Sequence, residues 1–117
     1  MEINQDLIKV ISNNYKYDIL VYIYKNPEII NDLLELALSD DPKFSWRAAW
    51  LFYELIDYKK HLLEDNQARI FKILPLRKEN HQRELLKLIY KIEIKEENIA
   101  LAFDICLNIW KELNKHS

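Results

Sequence analysis

The chain of 117 residues contains no glycine. Glycine is the residue that enters left-handed backbone without a steric penalty, and the tight turns of β-hairpins depend on it. A sheet protein would need such turns repeatedly. A helical protein can end its elements on Asn, Asp and Pro, which cluster here at Asn13-Asn14, Asn26-Pro27, Asp40-Asp41-Pro42 and Glu79-Asn80. The missing residue type therefore predicts an all-α chain. It also removes the phosphate-cradling loops of the Walker and Rossmann kinds, both built on glycine.

Half of the residues are hydrophobic and the net charge is −2, so a core can form and disorder is not expected. The length fits one domain, taken as residues 1–117. The small negative charge gives no electrostatic footprint for nucleic acid. The halves differ: residues 1–58 carry ten acidic and five basic side chains, residues 59–117 nine acidic and twelve basic. Cys106 is the single cysteine, which fits a reducing compartment. No apolar run approaches the ~18 residues of a membrane span, and Met1-Glu2-Ile3-Asn4 lacks the basic start of a signal peptide. A cytoplasmic chain with no membrane association is expected. Lys outnumbers Arg 13 to 4, a usage typical of AT-rich bacterial genomes.

The apolar spacing predicts about seven helices. The first, near 3–13, places Ile3, Leu7, Val10 and Ile11 on one face. The second, near 15–25, does the same with Tyr15, Ile19, Tyr22 and Ile23. Asn26 and Pro27 read as the start of a third, with Ile30, Leu33, Leu34, Ala37 and Leu38 at i, i+3, i+4, i+7 and i+8. Asp41 and Pro42 repeat that signal for a fourth, reaching about Tyr58. The fifth runs from Asp65 to Leu74 and is stopped by Pro75. The sixth, Asn80 to Ile92, turns Leu85, Leu88, Ile89 and Ile92 inward. The seventh starts near Glu96-Glu97 and continues to about Lys115. Short connections make neighbours antiparallel. An offset of 36 residues lays Leu34 on Ile70, Ala37 on Ile73, Leu38 on Leu74 and Arg47 on Arg83. Two helices per such period is the size of an α-solenoid repeat.

Asp41 in its turn, Trp46 and Arg47 shortly after it, and the Ala48-Ala49 pair make residues 27–92 resemble the HEAT/armadillo-like helical repeats. The segment Phe44 to Leu55 also looks like short bacterial HEAT-like proteins. The resemblance implies a short right-handed α-solenoid, with Asp41 and Arg47 as rungs of a charge ladder along the stack. In the following unit Arg83 fits, but the position six before it is Arg77, where an acid would stand. The resemblance further implies a non-enzymatic protein-binding role, with the second helix of each hairpin lining the concave side. Arg47, Arg83, Lys87 and Lys91 are then the candidate contacts for a partner bearing acidic groups. A second implied reading is a nucleic-acid protein akin to the HEAT-like alkylpurine DNA glycosylases, with Trp46, Trp50 and Asp57 as residues of interest. A third reading, drawn from a short acidic chain with no site of its own, is a small antidote or immunity-type protein that blocks a toxin.

No catalytic constellation emerges. His61, His81 and His116 share no metal-ligand spacing, although His61 and Glu64 fall on one helix face. No metal or cofactor is expected. The pairs Asp40-Asp41, Glu64-Asp65 and Glu96-Glu97 read as helix starts, where acids complement the dipole. Trp46, Trp50 and Tyr53 form an aromatic stripe, read as core with a binding groove as the alternative. On the last helix Ile99, Ala102, Phe103, Cys106, Ile109, Trp110 and Leu113 make one stripe, and Leu101, Ile105 and Leu107 add apolar surface elsewhere. An end helix of a stack should turn a polar face outward. This one is too apolar for that, so Phe103, Ile109, Trp110 and Leu113 are expected to meet another chain, with a homodimer the simplest form.

Overall fold

The computed structural model describes residues 4–114, and the side chains of residues 4–112. Ile3, Lys115, His116 and the side chain of Leu113 lie outside the described residues. Every regular element among them is helical: α1 Gln5–Asn13, α2 Lys16–Lys25, α3 Ile30–Leu38, α4 Ser45–Glu54, α5 Ile56–Asp65, α6 Gln67–Ile73, α7 Glu79–Lys91 and α8 Ile99–Asn114. Single 3-10 turns at Pro27–Ile29, Leu74–Leu76 and Glu96–Asn98 lead into or out of these helices. The chain divides into two compact units, residues 1–55 and 56–117.

The helices end without glycine by using asparagine side chains. The Nδ2 groups of Asn14, Asn26 and Asn66 donate to the carbonyls of Val10, Tyr22 and Leu62, each four residues back, at 2.9, 2.9 and 2.8 Å. Ser39 Oγ donates in the same manner to Leu36 O at 2.7 Å. These side chains donate to carbonyls of the last helical turn, and those of Tyr22 and Leu36 accept the backbone N–H of Asn26 and Ser39 as well. No described residue takes a positive φ. Asn26 stands, as expected, before Pro27 at the start of the third helix, which opens as a 3-10 turn, but its side chain closes α2 rather than capping that turn.

In the first unit, Asn4 Oδ1 caps α1 by accepting the Leu7 N–H at 3.1 Å. Its Nδ2 reaches Asp32 at the start of α3 at 2.9 Å. Asp41 Oδ1 accepts the N–H groups of Lys43 and Phe44 at 2.9 and 2.8 Å and so shapes the turn into α4. Helices α3 and α4 form the most extensively packed pair. Leu33, Leu34, Leu36, Ala37 and Leu38 are buried on α3; Ala48, Ala49, Leu51 and Phe52 are buried on α4. Two adjacent alanines let the helices approach closely, and Phe52 fills the space beside them.

The fourth helix was expected to reach Tyr58. It stops at Glu54, with Leu55 at φ −104°, ψ 3°, and α5 begins at Ile56 with a further irregularity at Lys59 (φ −128°, ψ 22°). Leu55 and Ile56 are both buried across this break. The break raises the helix count from the seven expected to eight.

In the second unit the core is Leu63, Ile70, Phe71, Leu74, Leu85, Leu88 and Ile89, joined by Ala102 and Ile109 of α8. Pro75 stands in the 3-10 turn that ends α6, as its lack of an N–H dictates. The pair Glu64-Asp65, expected at a helix start, closes α5 instead. Glu64 Oε2 accepts the Glu93 N–H at 2.8 Å, and Asp65 lies 3.9 Å from Lys95 Nζ. The pair therefore ties down the segment between α7 and α8. Among the described residues no helix is long and apolar enough to cross a membrane.

Candidate interaction surfaces

Burial on α8 is divided by face. Ala102 and Ile109 are buried, with Ile105 half-buried beside them. Phe103 is 65% exposed and Trp110 63%. Ile99 is also exposed, and Cys106 and Leu107 are half-buried. The stripe read from the sequence is thus two stripes. Ile109 belongs to the inner one and is only 6% exposed, so it is not an outward contact. The outer one, Ile99, Phe103, Cys106 and Trp110, follows steps of four, three and four residues, the seam spacing of a helix that packs on another helix. Burial pushes the Cys106 thiol above its ordinary pKa. Its thiol therefore stays protonated at neutral pH, which suits a packing role better than a nucleophilic one. Beside α8 an open cleft of about 160 Å³ is lined by Pro75, Gln82, Ile105, Asn108, Ile109 and Glu112.

The basic candidates fall in different units. Arg47 is exposed on α4 of the first. Arg83, Lys87 and Lys91 are exposed along one side of α7 in the second. Two of the α7 cations are met by carboxylates on their own helix. Arg83 pairs with Glu79 at 2.5 Å, and Lys87 reaches both oxygens of the buried Glu84 at 3.1 Å. Arg47 makes no ion pair with Asp41 among the described residues; the Asp41 carboxylate is spent on the turn, where its bonds to two N–H groups hold it.

The aromatic stripe of α4 is not fully core. Trp46, Trp50 and Tyr53 are each half-buried, while the interior positions of α4 go to Ser45, Ala48, Ala49, Leu51 and Phe52. Lys16 of α2 crosses to this stripe, with Nζ 4.8 Å from the Trp50 ring centre and 2.7 Å from Glu54 Oε1. Asp57 is exposed on α5, in the second unit. His61 is exposed and Glu64 faces the Glu93 backbone, so this pair is not gathered into a site.

The outward aromatics of α2 form a row that the apolar spacing alone does not single out. Tyr17 and Tyr24 are 76% and 77% exposed, with Leu20 and Val21 half-buried between them. The signal was present as Tyr17, Leu20, Val21 and Tyr24 at i, i+3, i+4 and i+7. It was masked by a second apolar row on the same helix, Ile19 and Ile23, which is the buried one. Tyr15, expected on the buried face, precedes the first turn of α2 and is exposed.

The HEAT repeat domain family matches residues 3–115. No curated protein and no solved structure matches the chain. HEAT repeats commonly mediate contacts between proteins. The match spans nearly the whole chain and agrees with the helical elements described above: this chain belongs to the HEAT repeat family.

Proposed function

We propose that this chain is a non-enzymatic protein-binding module of 1–117 as one HEAT domain, and that α8 pairs with α8 of a second copy. The observation that carries this reading is the outer row of α8, with two large aromatics about two-thirds exposed at seam spacing. Single exposed apolar residues are ordinary on protein surfaces, whereas contiguous rows mark contact sites. The row carries no charge of its own, so a copy of itself is a compatible partner without an unpaired buried ion.

The size of the row sets the strength. An aromatic side chain buries roughly 150–250 Å². Two aromatics at the exposure seen here, with Ile99, offer roughly 300–400 Å² per copy. The pair then falls below the ~1,200 Å² of a stable interface, so association is weak and reversible. Sedimentation equilibrium over a wide concentration range tests it. A monomer–dimer equilibrium that disappears in Phe103→Ser supports the reading; a monomer at every concentration, or a dimer indifferent to Phe103→Ser, rejects it.

A partner bearing acidic groups is the second part of the proposal. Arg83 and Lys87 are already met by Glu79 and Glu84, so the exposed Arg47 is the candidate expected to contribute most in the first unit.

A further inference from the structure

We infer that α8 meets α8 of the second copy antiparallel, with Asp104 of each copy level with Lys111 of the other, so that these two side chains set the orientation of the pair. This orientation presupposes the α8 pairing proposed above.

Helix α8 carries three charged side chains, Asp104, Lys111 and Glu112. Glu112 lines the cleft beside Pro75 and Gln82, away from the outer row. Asp104 and Lys111 are both exposed. Each follows an aromatic of the row, Phe103 or Trp110, by one position. Both therefore stand about 100° round the helix from the row, on the same flank. The other flank is closed, because Ala102 and Ile109, one position before the same aromatics, are buried. Between the row and the two charges lie only Ala100 and Leu107. Asp104 and Lys111 are thus the first charges of α8 met at the open margin of the row.

Neither charge is answered at home. On α7, Arg83 and Lys87 find Glu79 and Glu84 four and three residues back. On α8 the described positions three and four away from Asp104 and Lys111 are Ala100, Leu101, Leu107, Asn108 and Asn114, none of them charged. Among the described residues neither side chain forms an ion pair.

Symmetry then chooses the orientation. Two antiparallel copies of a helix bring like flanks together with their order reversed. With the two-fold axis beside Leu107 and Asn108, Asp104 comes level with Lys111 of the second copy, and Lys111 with its Asp104. A parallel pair would set Asp104 level with Asp104 of the second copy and leave both signs unanswered. Charges beside an apolar seam contribute little to affinity, but they do select partner and orientation.

Sedimentation equilibrium of the full chain at low salt tests this, comparing the parent with Asp104→Lys, Lys111→Asp and the exchanged double variant Asp104→Lys/Lys111→Asp. Both positions are exposed, so every variant should keep the helical circular dichroism of the parent. Each single reversal faces like charges across both symmetric pairs and should weaken the dimer about tenfold, the scale of two exposed pairs turned from attraction to repulsion. The exchange restores unlike charges and should bring the dissociation constant back to within about twofold of the parent. Added salt should shrink these differences. A parent chain that stays monomeric rejects the pairing itself and the orientation with it. A parent dimer that is lost in Phe103→Ser but indifferent to Asp104→Lys, or that the exchange does not restore, rejects the antiparallel orientation alone.

Discussion

Gln67 accepts the backbone N–H of Lys95 on Oε1 at 2.7 Å, from a position 28 residues earlier in the chain. Its Nε2 donates to Glu93 O at 3.1 Å and to Glu64 O at 2.9 Å, and the side chain is almost wholly buried. With Glu64 receiving the Glu93 N–H, two side chains give the extended segment 92–95 the hydrogen bonds a neighbouring strand would supply.

Replacing Gln67 by Leu keeps the volume near native and removes all three bonds. It leaves the Glu93 carbonyl and the Lys95 N–H without these part-buried bonds, at a cost of about 1–3 kcal/mol for each group that water cannot reach. Urea unfolding should show a lower midpoint with an unchanged slope. A midpoint within error of the parent would mean that the segment is held by other contacts.

Asp41→Ala removes the acceptor for the Lys43 and Phe44 N–H groups at the entry to α4. The expected loss is about 1 kcal/mol, as for other caps. Asp41→Asn retains an acceptor oxygen and should recover most of it. Equal losses in both variants would show that the negative charge, rather than the turn geometry, is what matters at this position.

Phe103→Ser is expected to leave the thermal midpoint of dilute protein within a degree or two of the parent, since the ring is mostly exposed and surface changes cost at most about 0.5 kcal/mol. The same change should abolish the concentration dependence of that midpoint, which association of folded chains produces. Phe52→Ala is the contrasting case. Phe52 is fully buried, and its loss should cost about 3–5 kcal/mol in denaturant titration.

Cys106 should react slowly with iodoacetamide at pH 8 compared with an unfolded control. Burial disfavours the thiolate, so the thiol pKa in the folded chain lies above that in the unfolded chain. The sign follows from that shift. The folded state is favoured by this group below the unfolded value, and the contribution is lost as pH rises through the folded one. Alkylation should accelerate above pH 9 and also on adding urea. A rate at pH 8 equal to the unfolded control would refute the assignment.

The helical class and most helix ends were legible in the sequence because their causes are local. A chain without glycine avoids left-handed turns, Pro75 stops α6, and Leu85, Leu88 and Ile89 on α7, with Ile92 just after it, are buried as their spacing predicts. Which apolar face finds a neighbour is a non-local matter, and spacing does not report it. On α8 the sequence shows a single wide stripe; packing buries Ile109 and leaves Phe103 and Trp110 exposed. On α2 two apolar rows compete, and the interior receives Ile19 and Ile23 while Tyr17 and Tyr24 face outward. Glu64 reads locally as the start of a helix, but its carboxylate is taken by the Glu93 N–H, 29 residues later. The sequence alone determined that amphipathic helices would form and roughly where they would stop, through steric and hydrogen-bonding preferences acting over a few residues. The tertiary structure decided which faces were covered, because burial depends on what the rest of the chain brings alongside.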